Sequence, residues 1–299
     1  MRETGKDTPP RRGERSAGAA APGLSAVAFL ALALCACSLS TARPPAPYAL
    51  NEAVNETLNP EETFTVADSG ETFTVGGVSV TGPWGYARAA NANRLYPLLV
   101  SGFWGDGKNQ YTASVNSFNK RYPAFVLDWQ KDGVGDGEAL ADWIDLAVSS
   151  GYRVDPSRVY LTGFSRGGSG SFPLARGMGN KGKYFAAILR VAGQSQSDLG
   201  DGIAAKTALW YHVGLNDEPA RVSVARAALA NFRAYPSYAN AVEASVADET
   251  CGVPRSTVTL SRAGEPTFRY SEYTGMGHES GTCYRDRELF VWLFNRRLR

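Results

Sequence analysis

Histidine is nearly missing from this chain. Its 299 residues include 2 histidines, 4 cysteines and 3 methionines, and the charges almost cancel, leaving a formal net charge of +2. A balance this close to neutral gives no electrostatic pull toward nucleic acid. Metal-ligand clusters and phosphate-cradling loops are also lacking, so nothing in the sequence asks for a metal or a cofactor. Long apolar runs are scarce too. Residues 24–36 (LSAVAFLALALCA) form an uncharged apolar stretch, but it is too short to cross a bilayer comfortably. What remains is an ordinary globular composition.

The short apolar stretch fits the hydrophobic core of a signal peptide, behind a polar, basic segment that is long for such a leader. Leu34-Cys35-Ala36-Cys37 resembles a bacterial lipobox. On that reading residues 1–37 are a leader ending in a lipidated Cys37, and any membrane contact runs through that lipid. Cleavage near Ala42 instead would give a soluble exported protein. Residues 38–60 are Pro-rich and read as a tether, leaving 61–299 as one domain. Cys251 and Cys283 lie outside the leader. In an oxidising compartment they predict a Cys251–Cys283 disulfide, closing a loop of about thirty residues and adding roughly 3 kcal/mol.

Within the domain, Glu62-Thr63-Phe64-Thr65-Val66 and Glu71-Thr72-Phe73-Thr74-Val75 flank a turn-forming Asp68-Ser69-Gly70, and so predict an antiparallel hairpin. Buried strands are expected at 96–100, 123–127, 158–161, 184–191, 209–213 and 268–273. Helices are expected at 138–149, 222–234 and 287–298. Alternating buried strands and helices mean a mostly parallel sheet covered on both faces.

The strand Val159-Tyr160-Leu161 runs into Gly163-Phe164-Ser165-Arg166-Gly167. This is the G-x-S-x-G pattern of a nucleophile elbow, in which glycines let a strained turn expose its serine. The N–H of Arg166 would then face a developing oxyanion. The same five residues also describe an ordinary Gly-rich turn, so the partners decide.

A serine hydroxyl needs a base, and the base needs an orienting acid. His278 sits in Gly275-Met276-Gly277-His278, a loop after the last strand, whereas His212 lies inside the apolar strand Leu209-Trp210-Tyr211-His212-Val213 and reads as structural. Asp217 follows that strand and is the candidate acid, with Glu218 and Asp248 as alternatives. The order Ser165, Asp217, His278 is that of an α/β-hydrolase triad. A second oxyanion donor is expected from a main-chain N–H at Phe103 or Trp104, in the loop after the first buried strand. Trp104 and Trp129 both follow strands and are candidates for stacking on substrate.

The block Asp155-Pro156-Ser157-Arg158-Val159-Tyr160-Leu161-Thr162-Gly163-Phe164-Ser165-Arg166-Gly167-Gly168, with Tyr96-Pro97-Leu98-Leu99-Val100 before it and Trp210-Tyr211-His212-Val213-Gly214, Asp217 and Gly277-His278 after it, resembles the α/β-hydrolase esterases. The likeness is to the group holding feruloyl and acetylxylan esterases and polyhydroxybutyrate-depolymerase-like enzymes. It implies the α/β-hydrolase fold, Ser165 as nucleophile, His278 as base, Asp217 as acid, and carbohydrate esters or polyester fragments as substrates. Those relatives carry His-Gly where this chain has Ser101-Gly102. Two other readings stay open: a secreted peptidase on the same triad, and a surface-binding lipoprotein without chemistry.

Overall fold

Alternation along the strands builds the two faces of the sheet. In β5 (Val154–Phe164), Val159 and Leu161 face one core and Tyr160 the other; in β7 (Ala208–Gly214), Leu209, Tyr211 and Val213 face the first core and Trp210 the second. Every residue of β7 is buried, as expected of a central strand with helices on both faces. The computed structural model describes residues 72–83, 86, 92–102 and 123–298, all within the compact unit Pro44–Arg299. Residues 1–37 with Cys37, the tether, the first Glu-Thr-Phe-Thr-Val copy, Phe103 and Trp104 lie outside the described residues.

The remaining described strands are β1 (Thr72–Val75), β2 (Val78–Thr81), β3 (Tyr96–Ser101), β4 (Phe125–Asp128), β6 (Ala187–Val191), β8 (Val242–Thr250), β9 (Val253–Arg262) and β10 (Glu265–Tyr273). All join one 10-stranded sheet in the order β1-β2-β4-β3-β5-β6-β7-β10-β9-β8. The six strands from β4 to β10 in that order run parallel, with antiparallel strands at each end. Helices α1 (Val134–Ser149), α2 (Arg166–Asn180) and α4 (Pro219–Ala234) contribute to one core, and the C-terminal α6 (Arg287–Phe294) to the other. Two short helices, α3 (Asp201–Ala204) and α5 (Gly281–Tyr284), complete the α-helices of the described residues. This is the α/β-hydrolase fold.

The chain carries the expected N-terminal antiparallel hairpin in β1 and β2, while the expected pairing of residues 62–66 with 71–75 lies outside the described residues. Thr72–Val75 pairs with Val78–Thr81, across a turn in which Gly76 and Gly77 both take positive φ. A two-residue turn of this backbone type matches the twist of the strands that it joins. β5 is also longer than expected, because Asp155, Pro156 and Ser157 form an irregularity within the strand rather than a separate turn.

The expected disulfide is absent: Cys251 and Cys283 are both free. Cys283 is fully buried in the core beside α6, whereas Cys251 occupies the exposed turn between β8 and β9 with φ 52°. Burial pushes both thiols up from their ordinary pKa, so neither is a ready thiolate.

Candidate active site

Parallel strands end at one edge, so the loops leaving β5, β6, β7 and β10 meet there. Ser165 follows β5 directly and adopts φ 57°, ψ −118°. A non-glycine residue at positive φ is strained, and the two glycines around it explain how the strain is tolerated. A Cβ on Gly163 would lie 2.4 Å from the main chain of Gly167, and one on Gly168 would lie 2.6 Å from the Val191 carbonyl oxygen. The strand and helix can therefore approach only with hydrogen at these positions. The Ser165 N–H donates to Val191 C=O at 3.0 Å, tying the elbow to β6. Arg166 opens α2, and its side chain pairs with Asp132 at 2.7 Å.

His278 Nε2 lies 2.9 Å from Ser165 Oγ, and its Nδ1 lies 2.7 Å from Asp217 Oδ2. Phe164 packs its ring against the imidazole, with centroids 4.7 Å apart. The loops that carry the two partners are joined through the main chain: Asn216 N–H donates to Met276 C=O, and Leu215 N–H to Tyr273 C=O, both at 2.9 Å.

Asp217 has a fully buried side chain. Its Oδ1 accepts from Glu218 N–H at 2.7 Å and from Arg221 Nη1 at 2.8 Å, leaving Oδ2 for the imidazole. Burial alone would raise its pKa, but the bonds from Arg221, His278 and Glu218 together outweigh it and hold the carboxyl below its ordinary value. The acid is therefore ionised throughout the neutral range. Glu218 is exposed beside it, and Asp248 pairs with Arg255 at 2.7 Å, so neither alternative acid meets His278.

His212 occupies the structural place expected from its strand. It is fully buried, stacked on Trp210 at 4.8 Å, with Nδ1 2.9 Å from the Tyr273 hydroxyl. Burial, together with the nearby Arg255 and Arg269 cations, pushes its pKa well down, so the ring is neutral. Trp129 is 5% exposed and packs within the core, with the Lys131 ammonium 4.8 Å from its ring centroid.

One neighbour of the serine carried no signal in the sequence. Gln194, in the loop after β6, donates from Nε2 to Ser165 Oγ at 2.6 Å. Its segment, residues 192–206, is polar and rich in small residues, and a lone glutamine in such a stretch has no distinguishing pattern. The structure fixes it through neighbours. Ser169 Oγ accepts from Gln194 N–H at 2.7 Å and from Ser195 N–H at 3.2 Å. Beneath them Arg190 is fully buried against the Phe172 and Tyr211 rings and donates to Ser195 C=O. Among the described residues, no group of three or more His, Cys, Asp or Glu is placed to hold a metal ion.

A serine at an elbow, an imidazole on its hydroxyl and a buried carboxylate behind the imidazole form the constellation of a serine hydrolase, on the fold that commonly carries it. No protein-family model matches the sequence, and no curated protein sequence matches it. Solved structures do. An acetyl xylan esterase from Aspergillus awamori aligns with a TM-score of 0.50 at 14% identity, covering 74% of this chain and 98% of that one. A ferulic acid esterase aligns at TM-score 0.46 and 12% identity, covering 76% and 96%. An esterase/lipase from an uncultured bacterium aligns at TM-score 0.46 and 13% identity, covering 77% and 83%. At these identities the likeness is one of fold.

Proposed function

We propose that this protein is a serine hydrolase of carboxylic esters that works through an acyl-enzyme on Ser165, His278 and Asp217. The observation that carries the reading is the unbroken line of hydrogen bonds from Ser165 Oγ through both imidazole nitrogens to Asp217. His278 Nε2 takes the hydroxyl proton as Oγ attacks the ester carbonyl. The tetrahedral oxyanion is met by the Arg166 N–H and by a second main-chain donor at Phe103 or Trp104. Collapse expels the alcohol, which receives the proton from His278. Water then attacks the acyl-enzyme with His278 again as base, releasing the acid and restoring Ser165. Asp217 keeps its charge, fixes the Nδ1–H tautomer and stabilises the transient imidazolium.

For the substrate, the resemblance of the Asp155–Gly168 block and the esterase neighbours favour an acetylated or feruloylated carbohydrate, with a polyester fragment as the wider class. With Trp129 packed in the core, Trp104 is the remaining candidate for stacking on such a substrate. Export through the leader at residues 1–37, with a lipid on Cys37, would bring such an enzyme to external polymers.

Intact-mass analysis after treatment with a fluorophosphonate tests the reading. One adduct on Ser165 is expected in the wild type. It is expected to be lost in Ser165→Ala, slowed about a thousandfold or more in His278→Ala, and retained in a folded His212→Ala. Hydrolysis of p-nitrophenyl acetate should follow the same order, with no cleavage of peptides. A folded wild type that takes no adduct would sink the proposal.

A further inference from the structure

The triad leaves one contact on its own nucleophile unexplained. Ser165 Oγ has two nitrogen neighbours, His278 Nε2 at 2.9 Å and Gln194 Nε2 at 2.6 Å. They cannot do the same job. Neutral His278, with its proton on Nδ1 toward Asp217, presents a lone pair and accepts the serine proton. The amide nitrogen of Gln194 has no lone pair to offer and can only donate. The hydroxyl therefore gives its hydrogen to the base while receiving one from the glutamine.

We propose that Gln194 is a further catalytic residue: an amide donor to the serine oxygen itself, distinct from the oxyanion donors that serve the substrate carbonyl. The proposal rests on the esterase reading above. When His278 removes the proton, Oγ gains negative charge, and a donor already aimed at it strengthens as that charge grows. The same atom is the leaving group when water resolves the acyl-enzyme. The Oγ–acyl bond breaks, charge returns to Oγ, and His278 delivers the proton. Gln194 thus acts in both halves of the reaction without making or breaking a bond of its own.

The placement is prepared in the resting protein. Gln194 and Ser195 donate their main-chain N–H groups to Ser169 Oγ, which lies one helical turn beyond the nucleophile. The buried Arg190 holds the Ser195 carbonyl, and Tyr211 OH donates to Gly193 C=O at 3.1 Å. Arg176 binds the Gln196 side chain and the Asp198 carbonyl, at 3.0 and 2.9 Å. The main chain that carries Gln194 is thereby held in register with the elbow, and the exposed side chain reaches Ser165 Oγ from that fixed base, so the donor is already aimed at the oxygen before the charge develops.

The test uses the full-length chain as wild type, Gln194→Met, Gln194→Ala, Gln194→Glu and Ser165→Ala. Methionine keeps the volume and removes the donor, and thermal melts establish that each variant is folded. The rate of phosphonylation by a small dialkyl fluorophosphate is read because it reports the nucleophile and not sugar binding. Both Gln194→Met and Gln194→Ala are expected to react about ten- to a hundredfold more slowly than wild type, with kcat for p-nitrophenyl acetate falling and KM little changed. Gln194→Glu places an acceptor against Oγ once ionised, so its rate relative to wild type should fall as pH rises through the carboxylate range. Equal rates in wild type and Gln194→Met, or a rise in KM alone, would overturn the role of Gln194 and leave the esterase reading standing. A faster Gln194→Ala would mean that the amide restrains the hydroxyl rather than activating it. If the wild type reacts no faster than Ser165→Ala, the esterase reading fails and this inference fails with it.

Discussion

Arg221 is the residue on which the charge of the buried acid depends most directly. It lies one turn along α4 from Asp217 and bonds its Oδ1 at 2.8 Å. Without it, a carboxylate with no exposed side-chain surface would keep only the Glu218 N–H and the imidazole. Arg221→Met is expected to cost about 1–3 kcal/mol at pH 7, the range for a buried charge that loses a hydrogen-bonded partner. The sign with pH is fixed by the direction of the shift. Asp217 titrates below its ordinary value, so its contribution is present above the unfolded carboxyl pKa of about 3.9 and is lost as pH falls below it. Urea melts at pH 7 and pH 3.5 should show the deficit of Arg221→Met shrinking in acid. A deficit equal at both values would separate Arg221 from the charge of Asp217.

At the scale of elements, β7 carries a buried imidazole that makes the fold sensitive to acid. In the unfolded chain His212 binds a proton below about pH 6.5. In the folded chain its pKa is pushed well down. Between these two values the unfolded state holds more protons, so stability falls as pH falls, by up to about 1.4 kcal/mol per pH unit. Melting temperatures from pH 7 to pH 5 should decline more steeply in the wild type than in His212→Asn, whatever Asn costs at pH 7. Parallel declines would assign the acid sensitivity elsewhere. The same strand marks how far a sequence can be read. His212 inside Leu209–Val213 and His278 among glycines announce different environments, and the structure bears out both surroundings. The elbow was legible because Gly163 and Gly168 are demanded by backbone contacts that no other residue permits. Gln194 was not, since its position depends on Ser169, Arg190 and Tyr211 converging from α2, β6 and β7. The β8–β9 hairpin was also missed, because β8 is exposed along nearly its whole length and shows no buried face to give it a period.

Across the whole molecule, that exposed β8 forms one edge of the sheet. Val242 and Val246 are 70% and 58% exposed there, while Glu243 and Asp248 supply charge along the same strand. Long edges with apolar side chains invite pairing with other chains, and charges on the edge oppose it. Val246→Lys is expected to leave the melting temperature within about 2 °C, since the side chain covers no core, and to lower light scattering at high protein concentration. Unchanged scattering would show that the native charges already suffice. The core itself is held by packing on both faces of the sheet, and the two described thiols take no part in a covalent link. Adding dithiothreitol should therefore not move the melting temperature, and a fall of several degrees would overturn the unpaired assignment. The consequence reaches beyond stability. A domain whose thiols stay single has a fold indifferent to redox potential, so it can form in reducing and oxidising compartments alike. Of the two described thiols, the exposed Cys251 can carry a spectroscopic label at the hairpin tip while Cys283 stays sealed in the core.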